Sequence, residues 1–356
     1  MRVRSYLAIV ACGAFTTLFA IAALYRFGEP FDATTLPERL ADIQAARPDT
    51  VVLPFDLRYN LAFKIRRLET ERPEIAWFAT SRAGSATAEM FKPYSFYNMG
   101  FTGWTTEQLE YAFERSTRRV QPRLVILSLD FFLFSDRWEE KLRMPRQMIL
   151  NEPLRYLQSS LGYFVRSALT RWPEFQAYAQ APSRFVGPAT ILEQEGFRHD
   201  GSWLFTKDHI ESARLQFRNV GFLVDSLLGG PEMSARRKAA IERIADIAKA
   251  RGIKLVAVQL PYLRAGVEFL DHRDPQDRYH ETYYGVWRDF ENGSTASWLH
   301  GLGIELLDLA HSSIDDDADN FIDAYHPSEE GMGRAVRELM NAPGFQSAIA
   351  GPPTAR

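Results

Sequence analysis

The sequence predicts an α/β fold built on a parallel sheet, and three observations lead there. Mostly apolar runs recur at 75–80, 124–129, 254–261 and 304–309. Segments with helical spacing of apolar residues lie between them, at 106–119 and 234–251. The run Leu124-Val125-Ile126-Leu127-Ser128-Leu129 is almost continuously apolar, as in a strand covered by helices on both faces of a parallel sheet. Strand, helix, strand in this rhythm makes βαβ units.

Composition fits a globular protein. With 46% hydrophobic residues in a chain of 356, there is enough apolar surface to bury a full core, in one large domain or two. The net charge of -3 comes from interspersed acids and bases without a basic block, which argues against a nucleic-acid partner. The single cysteine, Cys12, excludes an internal disulfide framework and a thiolate zinc site.

The amino-terminal segment predicts a membrane anchor. After Arg2 and Arg4 the chain is uncharged and mostly apolar from Ser5 to Tyr25. At ~1.5 Å per residue this run is long enough to span the hydrocarbon core as a helix. Tyr6 and Tyr25 stand at interfacial positions, and the early arginines favour a cytoplasmic amino end with the remainder outside. Two other readings are a cleaved signal peptide, with Ala20-Ile21-Ala22 as the cleavage site, and lipidation at Cys12. The expected organisation is an anchor at 1–27, a stalk at 28–52 with a short helix at 37–46, a domain at 53–345 and a tail at 346–356. The expected location is the cytoplasmic membrane, crossed once, with the carboxyl-terminal domain extracytoplasmic or periplasmic.

The domain opens with a helix at 58–69, carrying Leu61, Ile65 and Leu68 on one face. Pro73 releases the chain into the strand at 75–80, which breaks into Thr80-Ser81-Arg82-Ala83-Gly84. A second strand at 95–100 leads through Phe101-Thr102-Gly103 to a helix capped by Thr105 or Thr106. The rhythm is lost between Phe131 and about Ser234, read as a mostly helical insertion (about 131–233) that caps the sheet edge. Helical pieces are expected at 137–148 and 154–169, and a turn at 196–202. Its aromatics suit a cap core better than a sugar-stacking wall, and His199 suits a solvated loop. A helix at 234–251 ends at Gly252, and one or two helices fill 279–300. An acidic loop precedes the last helix, at 328–340. In it Asp315, Asp317 and Asp319 alternate as in an EF-hand loop. Asn320 stands where the glycine belongs and His326 where the bidentate glutamate belongs, so a solvated loop is expected, with no metal.

The chemistry concentrates at two places. Ser81 ends a strand, at the sheet edge where open α/β folds bind ligands. Asp323 and His326 lie three residues apart, before a helix that Pro327 and Ser328 can begin. A carboxylate on the same turn can hold the imidazole Nδ1–H and leave Nε2 as a base. The spacing suits equally a local cap beside a surface histidine.

The ordered combination resembles the SGNH (GDSL-like) hydrolases. Ala79-Thr80-Ser81-Arg82 resembles their first block in its Gly-Ser-Ser-Arg form. Asn98-Met99-Gly100-Phe101-Thr102-Gly103 resembles the second, and Asp323-Ala324-Tyr325-His326-Pro327-Ser328 the fifth. The resemblance implies a flavodoxin-like three-layer α/β/α sandwich with Ser81 as nucleophile, His326 as base and Asp323 as orienter. It also implies oxyanion donors from Ser81 and Gly103, and no cofactor. Asn98, Asp130 and Arg82 are the candidate substrate contacts. Two positions depart from the pattern. Ala79 replaces glycine, and Asp130-Phe131-Phe132 stands where the third block supplies an asparagine donor. A carboxylate cannot donate, and one lost oxyanion donor costs ~10²–10³ in rate. Asp130 is expected to bind a substrate hydroxyl or an arginine instead. The function implied is a membrane-anchored serine esterase or O-acyltransferase acting on acyl, chiefly acetyl, esters of a cell-surface polysaccharide. Its partners would be a glycan or acyl donor and a membrane-bound O-acyltransferase. The alternative is a non-catalytic glycan-binding or assembly protein that keeps the fold.

Overall fold

The computed structural model describes residues 8, 10–19, 36–54, 59–138, 162–163, 165–166, 169–180, 184–216, 229–272 and 278–350. Of the expected anchor, residues 8 and 10–19 are described and helical, and the rest lies outside the described residues. Among the described residues, no helix is long and apolar enough to cross a membrane.

A five-stranded parallel sheet is the frame. It comprises β2 (Ile75–Phe78), β3 (Phe96–Met99), β4 (Leu124–Ser128), β8 (Lys254–Gln259) and β9 (Glu305–Asp308), in the order β3-β2-β4-β8-β9. Counted along the chain, the order is 2-1-3-4-5, so the direction of winding reverses between β2 and β4. Alternate residues divide between two cores, as the period of two in a strand requires. Ala76, Phe78, Val125, Leu127 and Ala257 face one side. They pack against α2 (Asn60–Glu71), α3 (Thr106–Ser116) and α7 (Ala235–Arg251), through Leu68, Phe113 and Ile244 among others. Ile75, Trp77, Ile126, Val256 and Val258 face the other side, against Met332, Val336 and Leu339 of α11 (Glu329–Asn341) and Phe345 of α12 (Pro343–Ala350). Trp77 Nε1 donates to Ser128 Oγ at 2.9 Å and so pins β2 to β4 inside the second core.

In the segment expected as a stalk, α1 (Pro37–Ala46) buries Leu40, Ala41 and Gln44, and β1 (Val51–Val52) is fully covered. The insertion contributes strands as well as helices. β5 (Phe185–Val186), β6 (Gly196–Phe197) and β7 (Trp203–Leu204) join β1 in a small mixed sheet ordered β5-β1-β6-β7. The helix expected at 137–148 lies mostly outside the described residues, as does most of that at 154–169. The segment 279–300 resolves into a pair, α9 (Arg278–Glu291) and α10 (Ser294–Gly301), split where Gly293 takes φ +75°.

Candidate active site

Ser81, Asp323 and His326 come together at the carboxyl edge of the sheet. β2 ends at Phe78, and Ser81 is the first residue of a 3₁₀ turn over Ser81–Ala83. Thr80 caps that turn by accepting from Arg82 N–H at 3.2 Å, while the Ser81 N–H, at the turn's start, has no acceptor within it. Ser81 Oγ lies 2.8 Å from His326 Nε2, and His326 Nδ1 lies 2.6 Å from Asp323 Oδ2.

His326 sits on a tightly tied turn. Ile322 N–H donates to His326 O and Ser328 N–H to Asn320 O, each at 2.8 Å, so residues 321–327 close on themselves. Within the turn, Asp323 Oδ1 accepts from Tyr325 N–H at 2.9 Å and His326 N–H at 2.8 Å. Burial pushes the Asp323 carboxyl up, but the His326 charge and these hydrogen bonds outweigh it, and the carboxyl ends below the usual range. The Tyr325 ring lies 4.3 Å from the imidazole, and burial beside Asp323 pushes its hydroxyl up to about 12. Ser328 then caps α11 by accepting from Gly331 N–H at 3.2 Å. A Cβ at Gly331 would stand 2.0 Å from Asn320 O, so only glycine fits this approach.

The remaining expected residues take different places. Arg82 and Asp130, expected as substrate contacts, are buried and bind each other. Of the two partners open to Asp130, the structure supplies the arginine. Arg82 Nε also donates to Tyr325 O at 2.7 Å, Nη2 donates to Leu260 O at 3.1 Å and to Pro261 O, and Cζ lies 3.8 Å over the Tyr262 ring. Burial pushes the Asp130 carboxyl up while the Arg82 guanidinium pulls it back. Asn98 is also buried. Its amide donates to Ala83 O at 2.7 Å and Ala86 O at 2.9 Å and accepts from Gly100 N–H at 2.7 Å, so it holds the loop after Ser81 from below. Gly103 packs on α3, where a Cβ would meet Leu109 Cδ2 at 2.6 Å. Among the described residues no hydrogen bond joins Gly103 to the Ser81 turn; the loop's contact there is Phe101 N–H to Thr80 O, 3.2 Å. Phe101 makes it with φ +64°, a strained conformation for a bulky residue.

The insertion reaches this loop, through residues that the sequence pattern did not mark. Trp203 N–H donates to Gly84 O at 2.7 Å, and the Trp203 and Phe101 rings stack at 4.8 Å. Asp200 O accepts from Asn98 N–H at 2.8 Å, and its carboxylate accepts from Ala88 N–H at 2.8 Å. Phe197 and Trp203 belong to the core, as expected for aromatics of a cap, and His199 is exposed. Ser85, another unmarked residue, donates from Oγ to Pro327 O at 2.8 Å.

The acidic loop is engaged in capping and ion pairs. Asp315, buried rather than solvated, pairs with Arg264 at 2.8 Å; Asp317 accepts from Asp319 N–H at 2.9 Å; Asp319 pairs with Arg214 at 3.1 Å. The metal-capable atoms of Asp271, Glu291 and His311 lie within 4.8 Å of one another. Both Asp271 oxygens there already accept hydrogen bonds or pair, from Trp287 Nε1 at 2.8 Å and His311 Nε2 at 3.0 Å.

Comparison of the sequence with protein-family models finds no match, and comparison with curated proteins finds none.

Proposed function

We propose that the chain is a serine esterase or O-acyltransferase of SGNH type, with the flavodoxin-like three-layer fold of that family. The observation that carries the reading is the chain of contacts Ser81 Oγ, His326 Nε2, His326 Nδ1, Asp323 Oδ2, at 2.8 and 2.6 Å. Its place supports the reading too, since it lies beyond the carboxyl ends of the strands where the winding reverses.

In the proposed reaction Asp323 keeps the His326 proton on Nδ1, so Nε2 accepts the Ser81 hydroxyl proton as Oγ bonds to the acyl carbon. The carbonyl electron pair moves to oxygen, where the N–H groups of Ser81 and Gly103 receive the charge. Collapse breaks the ester C–O bond, and His326 returns its proton to the leaving alcohol. Water or a sugar hydroxyl then takes the acyl group by the reverse steps. The proposed substrates are acyl esters of a cell-surface glycan, most simply acetyl esters. The proposed setting is the outer side of the cytoplasmic membrane, beside a membrane-bound O-acyltransferase.

One observation favours a second reading, a glycan-binding or assembly protein without catalysis. The position of the third-block asparagine holds Asp130, which is bound to Arg82. Hydrolysis of p-nitrophenyl acetate by the full chain separates the two. The esterase reading expects turnover that Ser81→Ala abolishes; turnover equal in both proteins refutes it.

A further inference from the structure

Arg82 has no task in the reaction just described, yet its side chain bonds to four residues beneath the site and lies over a fifth. We propose that Arg82 is a positioning residue that fixes the nucleophile turn against the base turn, with Asp130 as the counter-charge that permits its burial. The inference rests on the serine-hydrolase reading of the same site.

The argument begins with connectivity. Arg82 directly follows Ser81, and Tyr325 directly precedes His326. The bond from Arg82 Nε to Tyr325 O, 2.7 Å, therefore lies one residue from the Ser81–His326 contact on both strands of chain. Ser85 Oγ to Pro327 O, 2.8 Å, stands on the far side of that contact. Among the described residues, three side-chain hydrogen bonds thus join the two segments; along the base turn the Ser81–His326 contact lies between the other two, and along the other segment both follow Ser81. Because neighbouring Cα atoms are ~3.8 Å apart, a base turn that drifted from Ser81 would have to stretch the flanking bonds as well.

Burial requires a reason for the charge. A buried ion pair is often no more stable than apolar residues of the same volume, so stability alone does not account for Arg82 and Asp130. A planar fork of five N–H donors can do what an apolar residue cannot. It reaches the base turn at Tyr325 O, the end of β4 at Asp130 and the segment after β8 at Leu260 O and Pro261 O, while lying flat on Tyr262. Lysine would keep the charge but lacks the planar fork. Asp130 balances the cation, and Tyr262 Oη donates to the same carboxylate at 3.4 Å.

The test needs a readout that does not depend on turnover. In the full chain labelled with ¹⁵N-histidine, Ser81→Ala should move the His326 Nε2 resonance, because it removes the group bonded there. In an Arg82→Lys background that Ser81-dependent shift should largely vanish, while the Nδ1–H signal toward Asp323, internal to its turn, stays. Alongside, kcat for p-nitrophenyl acetate should fall ~10²-fold with KM nearly unchanged, the cost of misplacing a reacting group by about 1 Å. If Arg82→Lys does not fold, the double replacement Arg82→Met with Asp130→Leu removes both charges and should lose the shift in the same way. A shift that persists in either background, or that is absent from the unsubstituted protein, overturns the proposal. A shift present in the native chain and lost without Arg82, in a protein that hydrolyses no ester, upholds the positioning role and removes the esterase reading alone.

Discussion

His326 Nε2 stands 2.8 Å from Ser81 Oγ although 245 residues separate the two in the chain. The fold makes this contact by placing the turn after β2 and the turn before α11 at the same sheet edge. The carboxylate of Asp323, 2.6 Å from Nδ1, decides which nitrogen faces the serine. Asp323→Asn presents an amide there and favours the wrong tautomer. It is expected to lower kcat by ~10³–10⁴ in ester hydrolysis with little change in KM. An unchanged kcat would mean that Asp323 does not orient the base.

The same carboxyl sets an acid dependence of stability. Its folded-state value lies below the ordinary one. Its contribution is therefore present above the unfolded value, about 3.9, and is lost as pH falls through the folded one. Urea midpoints of the native protein and Asp323→Asn, compared from pH 7 down to 3, are expected to converge at the acid end. A gap that stays constant over that range would contradict the assignment.

Gly201 is the point at which the insertion presses on the site. Its φ is +80°, and a Cβ would stand 2.2 Å from Asn98 O. Gly201→Ala is expected to destabilise the protein by ~3 kcal/mol, combining strain with displacement of the β6–β7 hairpin. Chemical denaturation measures it. A loss below ~1 kcal/mol would show that the hairpin yields freely.

Removing the ring that stacks on Phe101 separates packing from chemistry. Trp203→Ala empties a core position beside the loop after Ser81 and should cost ~3–5 kcal/mol. The KM for a small acetate ester should barely change, because Trp203 is buried in the core and not on an open wall. A large rise in KM without loss of stability would assign Trp203 to substrate binding instead.

The central strands β2, β4 and β8 were legible because each is a short, mostly apolar run buried between two cores. β1, β5, β6 and β7 were not, since two residues are too few to display a period. The packing of α1 was not legible, because its surroundings are polar and proline-dotted, although Pro37, Leu40, Ala41 and Gln44 share one helical face that is buried in the fold. At the site, Asp323 and His326 sit on one turn, so their spacing offered the pair, and the motif resemblance tied it to Ser81. The pairing of Arg82 with Asp130 spans 48 residues and depends on two strands being neighbours, which no local pattern encodes. That is why two charges marked as substrate contacts turn out to bind each other.

Reaction with a fluorophosphonate tests the central claim most directly, because it reports an activated serine whatever the natural ester is. The account predicts that the full chain is labelled on the peptide containing Ser81, and that Ser81→Ala and His326→Ala abolish labelling. A native chain that stays unlabelled, or a label that persists in Ser81→Ala, would contradict it.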